Sequence, residues 1–332
     1  MPIGQVGPAK TCSSKNGFFS ADFCQGRGVP HQPLAALRHH LEETVLGASP
    51  AIYLLQVAVL ARGHALVTGA PGIGKTSLAA SLASSLGGTF KRIQFTSDLL
   101  PSDLLGYNLY RAQDGHFEFV PGPVFANTVL ADEINRASPR TQSALLEAMN
   151  DGQVTIDGVT RALPQPFLVI GTQNSRSSAG TFPLPDAQLD RFLVSIPMPV
   201  PDLETQLAIL KAHSEEEKAA SSDETILSPD DLAFLQNRTA TTIVAPPIQR
   251  YLLALCQAVR SQLGSDAVIS TRALLALQTA ARAAAVIDDC EAVHPDHVQE
   301  VLIPVLQHRL FLDEPINPLP ILAEALREVR VP

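Results

Sequence analysis

Gly69-Ala70-Pro71-Gly72-Ile73-Gly74-Lys75-Thr76 is the stretch of this chain that decides its fold. It matches the pattern G-x-x-x-x-G-K-[ST] in full. The apolar run Ala65–Thr68 before it predicts a buried strand, and the spacing of the leucines after it predicts a helix over Ser77–Leu86. A strand, this loop and a helix in that order favour a polyphosphate-binding loop over an accidental glycine-rich turn.

The residue types in this loop suit phosphate chemistry. Glycines let the backbone wrap closely around a polyphosphate and present a nest of amide hydrogens, and the start of the helix at Ser77 adds positive potential. We expect Lys75 to contact the β- and γ-phosphates and the Thr76 hydroxyl to bind Mg²⁺. The sequence therefore predicts a site for ATP and Mg²⁺ from Gly69 through Ser77.

Apolar segments alternate with helical ones as far as Pro201, which predicts an α/β fold with a parallel sheet covered by helices on both faces. The further predicted strands are Arg92–Phe95, Thr128–Ala131, Phe167–Thr172 and Leu193–Ile196. The further predicted helices are Pro33–Val45, Pro50–Ala61 and Arg140–Met149.

The composition of the chain changes at two points. Residues 1–30 are rich in Gly, Ser, Pro and Lys and lack periodicity, which predicts a mobile tail. After Pro197–Pro201 the chain becomes rich in Ala and Leu and helical in pattern. We therefore expect a nucleotide-binding core over 31–201 and an all-helical domain over 202–332.

Two Asp-Gly pairs predict β-hairpins, because both residues of such a turn need positive φ. The pair Asp114-Gly115 lies between Leu109–Arg111 and His116–Val120. The pair Asp157-Gly158 lies between Gln153–Ile156 and Val159–Leu163.

Two carboxylates end the predicted strand that begins at Thr128. Asp132 and Glu133 follow the apolar run Val129–Ala131, and ligands of parallel sheets bind at the carboxyl ends of the strands. We expect Asp132 to hold the Mg²⁺ shell and Glu133 to orient and polarise the attacking water. An acidic N-cap for the next helix is the alternative for this pair.

Three further polar residues are candidates with weaker signals. Asn174 ends the fourth strand, where its amide can hold the lytic water, although a lone Asn there is usually a turn residue. Arg191 precedes the fifth strand and is either a functional arginine or a surface arginine paired with Asp190. Arg272 alone would be an ordinary exposed charge.

Charge and composition exclude some classes of protein. The net charge of −9 and the pI of about 5.4 disfavour broad affinity for nucleic acid. No apolar run reaches the ~18 residues of a membrane span, and scattered cysteines predict reduced thiols in the cytoplasm. The histidines at positions 39, 40, 294, 297 and 308 match no metal pattern, and we expect them to be solvated.

From about Leu34 to Leu310 the sequence resembles the MoxR branch of AAA+ ATPases. The resemblance is carried by five segments: Val120-Pro121-Gly122-Pro123-Val124-Phe125-Ala126-Asn127, Asp132-Glu133-Ile134-Asn135-Arg136-Ala137, Thr141-Gln142-Ser143-Ala144-Leu145-Leu146-Glu147-Ala148-Met149, Gln188-Leu189-Asp190-Arg191-Phe192 and Val301–Leu310. Two departures are Ser175, where the family usually has Pro, and Ala48, where it usually has Gln. Neither departure removes a group that does the chemistry.

The resemblance implies roles that spacing alone does not show. Asn174 matches sensor 1, Arg191 matches the arginine finger supplied to the neighbouring subunit, and Arg272 matches sensor 2 in the lid. Val45, Leu46 and Gly47 match the segment that lines the adenine pocket. The two hairpins match inserts that face the pore side of the ring in relatives.

The resemblance also implies an AAA+ core followed by a helical lid, assembled as a homo-hexamer that hydrolyses ATP. MoxR-like proteins are chaperone-like remodellers, often with a von Willebrand factor A domain partner and a metal- or cofactor-bearing client complex. Three alternatives are a magnesium-chelatase-like subunit, a motor acting on nucleic acid, and a non-enzymatic scaffold gated by nucleotide. The acidic pI disfavours the motor, and the catalytic carboxylates disfavour the scaffold.

Overall fold

The computed structural model describes residues 32–113, 115–174, 180–216, 225–263, 269–310 and 317–332, so the predicted tail 1–30 lies outside the described residues. The strands are β1 (Ala65–Gly69), β2 (Phe90–Gln94), β3 (Gly106–Arg111), β4 (His116–Pro121), β5 (Thr128–Asp132), β6 (Gln153–Ile156), β7 (Val159–Ala162), β8 (Leu168–Asn174) and β9 (Val194–Met198). The helices are α1 (Gln32–Thr44), α2 (Ser49–Leu60), α3 (Lys75–Leu86), α4 (Pro101–Leu105), α5 (Pro139–Asp151), α6 (Asp186–Leu189), α7 (Leu203–Glu216), α8 (Pro229–Thr241), α9 (Pro246–Leu263), α10 (Thr271–Ile287), α11 (Pro295–Leu306) and α12 (Pro318–Glu328).

The central sheet has five parallel strands in the order β2-β5-β8-β1-β9. This confirms the parallel sheet and all five predicted core strands, within two residues at their ends. In the register, Gly69 at the end of β1 lies beside Asn174 at the end of β8 and Met198 at the end of β9. The carboxyl ends of β1, β5 and β8 therefore lie together at the same end of the sheet, and the predicted phosphate-binding loop follows β1 there.

Both predicted hairpins form, as β3–β4 and β6–β7. In the second, Asp157 and Gly158 have φ of 50° and 78°, as the turn requires. In the first, Gly115 has φ of 67°, and Asp114 lies outside the described residues. The hairpins touch each other, since Asn108 Nδ2 donates to Asp157 Oδ2 over 2.6 Å.

The helices that follow Pro201 pack directly on the α/β part of the chain. Helix α10 lies against α2, α8, α9 and α11, and α11 packs on the edge strand β9. A single apolar cluster runs from α1 and α2 through β1 to these later helices, and a second fills the space between the sheet and α5. The division at 201–202 stays a prediction. No helix in the described ranges is both long enough and apolar enough to cross a membrane.

The prediction of solvated histidines was wrong for His297 and His308. His297 is buried, and its Nδ1 accepts a hydrogen bond from the backbone of His294 at the start of α11. The ring of His308 contacts the Phe192 carbonyl at 2.8 Å, and burial lowers the pKa of His308 to about 3. Both imidazoles act here as hydrogen-bonding groups rather than as solvated side chains, which spacing along the chain does not reveal.

Candidate functional site

The predicted phosphate-binding loop joins β1 to α3, with Gly74 at the N-cap of the helix. Gly72 and Gly74 have φ of 78° and 89°, a conformation that residues with a side chain rarely adopt. The Lys75 ammonium folds back over the loop and donates to the carbonyls of Gly69 and Ala70, at 2.9 and 2.7 Å. This fold-back holds the cation at the centre of the loop.

Thr76 and Asp132, the two predicted Mg²⁺ ligands, lie within hydrogen-bonding distance of each other. Thr76 Oγ1 donates to Asp132 Oδ2 over 3.3 Å, and Thr172 Oγ1 donates to Asp132 Oδ1 over 2.6 Å. A hydroxyl and a carboxylate oxygen are hard donors that suit Mg²⁺, which usually takes its remaining ligands from phosphate and water. The residues present therefore fit the metal.

The Asp132 carboxyl is held in its ionised form. Its burial alone would raise its pKa, but the hydrogen bonds from Thr172 and Arg92 and the positive charge of Arg92 together lower the pKa below its ordinary value. Burial also lowers the pKa of the Lys75 ammonium, and the carboxylates of Asp132 and Glu133 offset part of that effect.

Glu133 stands in a strained backbone position. Its φ and ψ are 56° and 49°, the left-handed region that non-glycine residues seldom occupy. Its backbone N–H donates to Thr172 Oγ1 over 2.9 Å. Its carboxylate accepts from Asn174 Nδ2 at 2.7 Å, Gln94 Nε2 at 3.1 Å and Arg136 Nη1 at 3.0 Å.

Asn174 links the catalytic candidates to each other. Its Oδ1 accepts from Lys75 Nζ over 3.1 Å, while its Nδ2 donates to Glu133. The amide thus joins the loop lysine on one side of the cleft to the carboxylate on the other. The predicted residues Lys75, Asp132, Glu133 and Asn174 are therefore brought together in one place.

These side chains line a cleft of about 420 Å³. Its lining is Pro71, Gly72, Gly74, Lys75, Thr76, Ser77, Arg92, Gln94, Asp132, Glu133 and Asn174. A larger cavity of about 740 Å³ lies at the amino ends of the strands, beside His64 and α8. None of the candidate residues lines it. The chemistry of the lining therefore identifies the site better than cavity size does.

Two residues of the cleft, Arg92 and Gln94, were not predicted from the sequence. Both lie on β2, two positions apart, so they point to the same face of the strand. Gln94 is in register with Asp132 on β5. Two polar residues alternating at the end of a predicted strand were the available signal, but only the strand order places them beside the carboxylates.

The predicted adenine segment lies next to the loop and outside the polar cleft. A Cβ built on Gly74 would lie 3.3 Å from Val45 Cγ1. Val45, the residue after α1, therefore packs against the loop. Gly47 has φ of 77° and faces Thr205 at the start of α7, where a Cβ would lie only 2.7 Å from the threonine methyl.

Arg191 and Arg272 do not line the cleft of their own chain. Arg191 Nη1 donates to the Leu146 carbonyl over 3.2 Å, and Arg272 Nη1 lies 3.5 Å from Asp190 Oδ2. The ion-pair partners of Asp190 in the described residues are Arg272 and Arg309, and the suggested Arg191–Asp190 pair is not among them. Both arginines lie near the amino end of β9, whereas the phosphate-binding loop follows the carboxyl end of β1.

Comparison with known proteins relates both parts of the chain to described families. Residues 64–194 match the "ATPase family associated with various cellular activities (AAA)", and residues 257–328 match the AAA lid domain. A crystal structure of a Cytophaga hutchinsonii protein assigned as an ATPase superposes with a TM-score of 0.81 at 34% identity, covering 91% of this chain and 96% of that one.

Three relatives match over most of their length. The chain is 40% identical to the uncharacterized protein YeaC of Bacillus subtilis, over 91% of this chain and 96% of that one. It is 38% identical to Chaperone MoxR1 of Mycobacterium tuberculosis, over 90% and 84%. It is 34% identical to Protein MoxR of Paracoccus denitrificans, over 84% and 88%.

Proposed function

Because this chain belongs to the MoxR family of AAA+ ATPases, we propose that it uses Mg²⁺-dependent hydrolysis of ATP to remodel or activate a partner protein complex. That it is an ATPase follows from the family. The observation that best supports the rest of the proposal is the connected set Lys75, Asn174, Glu133 and Asp132 around one cleft. A scaffold would need the phosphate loop alone.

The predicted residues of the cleft have distinct tasks in hydrolysis. The loop amides and the Lys75 ammonium would bind the phosphates and neutralise their charge, and Thr76 and Asp132 would hold Mg²⁺. Mg²⁺, when bound, neutralises charge that develops on the phosphate oxygens. Glu133 accepts a proton from the attacking water, and Asn174 fixes the direction of that carboxylate.

Arg191 and Arg272 are proposed to act on the nucleotide of a neighbouring subunit. They stand near the amino end of β9, whereas the cleft of the same chain opens at the carboxyl ends of the strands. An arginine at the other end of the strands from its own cleft is placed to reach a phosphate across a subunit boundary. The proposed assembly is a ring, with a hexamer as its expected size.

The paired hairpins supply the surface proposed to contact the client. Tyr110 and Phe117 are exposed on β3–β4 with ring centroids 5.2 Å apart, and Val159 is exposed on β6–β7. The bond between Asn108 and Asp157 joins the two hairpins. Exposed apolar side chains on a rigid ribbon suit transient contacts with a protein client. The name Chaperone MoxR1 of a relative supports the same role.

Trapping the partner tests this proposal. Affinity purification with Glu133→Gln in Mg²⁺ and ATP should retain a client complex and a protein with a von Willebrand factor A domain. The variant keeps the phosphate loop and Asp132 but loses the proton acceptor, so ATP should remain bound. The control is Lys75→Ala, which should lose most nucleotide affinity and retain neither protein. Equal recovery with both variants, or recovery of no such partner in any nucleotide state, would contradict the remodelling role.

A further inference from the structure

Arg92 binds the carboxylate oxygen that faces the predicted metal ligand Thr76. Arg92 Nη2 lies 2.7 Å and Nε 3.2 Å from Asp132 Oδ2. The same oxygen accepts the Thr76 hydroxyl over 3.3 Å. A guanidinium therefore occupies the side of Asp132 on which Mg²⁺ and Thr76 would meet.

Arg92 also supplies the charge that Asp132 needs. Asp132 is only 6% exposed, and a buried carboxylate is costly unless it is paired. The Lys75 ammonium has three donors, and all three are used by the carbonyls of Gly69 and Ala70 and by Asn174. Among the ion pairs of the described ranges, the one that Asp132 makes is with Arg92, at 2.7 Å.

We propose that Arg92 competes with Mg²⁺ for Oδ2 of Asp132 and thereby makes metal binding depend on nucleotide. Two cations on one oxygen repel each other, so a metal entering alone must displace the guanidinium. A bound polyphosphate adds negative charge that attracts both cations and offers Arg92 a second partner. The Arg92 side chain is 52% exposed and can leave Asp132 without disturbing the core. The inference rests on the Mg²⁺ dependence included in the proposed function.

Thermal melting of the full chain during Mg²⁺ titration, without nucleotide, tests the competition. Arg92→Gln should gain stability with Mg²⁺ at concentrations at least about tenfold below those that affect the wild type, because the repelling charge is gone. Arg111→Gln is the matched control, since Arg111 is 50% exposed and paired with Glu118 on a hairpin away from the cleft. It should respond to Mg²⁺ as the wild type does.

Three results would overturn the inference. One is the same Mg²⁺ response in Arg92→Gln and wild type. Another is an Arg92→Gln protein that is unfolded without Mg²⁺ and is not restored by it. The third is an equal loss of ATP affinity by Arg92→Gln in EDTA and in Mg²⁺, which would make Arg92 a phosphate ligand only. If the wild type binds ATP with the same affinity in EDTA and in Mg²⁺, the Mg²⁺ dependence of the proposed function is contradicted. The Mg²⁺ titration without nucleotide then still tests the competition by Arg92.

Discussion

At the scale of single residues, Glu133 shows how the site is held ready for reaction. Its left-handed backbone, at φ 56°, costs free energy that the surroundings must offset. The hydrogen bond from its N–H to Thr172 and the bond from Asn174 to its carboxylate supply that support. The direction of the carboxylate is thus set by hydrogen bonds from Asn174 on β8, Gln94 on β2 and Arg136, and not by the rotamer preference of an isolated glutamate.

Replacing this carboxylate should separate ATP binding from hydrolysis. Glu133→Gln keeps the shape and the contact with Asn174 but cannot accept a proton, so kcat should fall by about 10²–10⁴. ATP affinity, measured by calorimetric titration, should change little. Glu118→Gln, an exposed carboxylate on the first hairpin, should hydrolyse ATP at the wild-type rate. Hydrolysis by Glu133→Gln near the wild-type rate would show that another group is the base.

At the scale of elements, the turn after α11 attaches the later helices to the edge of the sheet. All five N–H donors of Arg309 are used: one bonds to the Asp190 carboxylate and the others to backbone carbonyls of Asp190, Phe192, Leu193 and Val305. Gln307 donates to the Ser195 carbonyl over 2.7 Å. A buried arginine with every donor satisfied fixes the segment that carries Arg191.

Removing this charge should be among the most destabilising changes in the chain. Arg309 is 2% exposed and Asp190 8%, so Arg309→Gln leaves a buried carboxylate without its main partner. Breaking such a pair typically costs about 3–5 kcal/mol of the free energy of unfolding. Arg327→Gln, whose 76% exposed side chain pairs with Glu324, should change it by less than ~1 kcal/mol. Urea unfolding curves with equal loss for both variants would exclude this role for Arg309.

At the scale of the whole molecule, the two ends of the parallel sheet carry different groups of candidate residues. The carboxyl ends hold the phosphate loop, Asp132, Glu133 and Asn174, and the amino end of β9 holds Arg191 with Arg272 nearby. A subunit therefore presents a nucleotide cleft on one side and cations on another. This separation of the cleft from the two arginines is the reason that the proposed function includes a ring, in which a neighbouring copy would supply the arginines.

Mixing variants should reveal this dependence on a neighbour. Arg191→Ala should bind ATP well and hydrolyse it poorly, since arginine fingers are worth about 10³–10⁵ in kcat. Mixed with Glu133→Gln, it should recover activity, because an Arg191→Ala subunit keeps its own Glu133 and receives Arg191 from its neighbour. Each variant alone at the same total concentration is the control. A monodisperse monomer in ATP, by light scattering, whose full activity depends on Arg191 would contradict action between subunits.

The features that could be predicted from the sequence are those whose residues lie in one contiguous segment. The phosphate loop, the strand ending in Asp132 and Glu133, and the Asp-Gly hairpins each carry their signal within about ten residues. Their chemistry is local, because glycine conformations, turn geometry and alternation of apolar residues depend on near neighbours. The parallel sheet followed from repeating such segments, and resemblance to a family supplied roles for Asn174, Arg191 and Arg272.

Only the tertiary structure decided which distant side chains share an electrostatic environment. Arg92 meets Asp132 across 40 positions of sequence, and Arg309 meets Asp190 across 119. His308 is partly buried against the Phe192 carbonyl for the same reason, although its neighbours in sequence gave no sign of it. Sequence by itself determined the segments and their chemistry. The order in which strands pair and the way later helices pack determined the partners, because ion pairs and burial depend on distances through space and not on spacing along the chain.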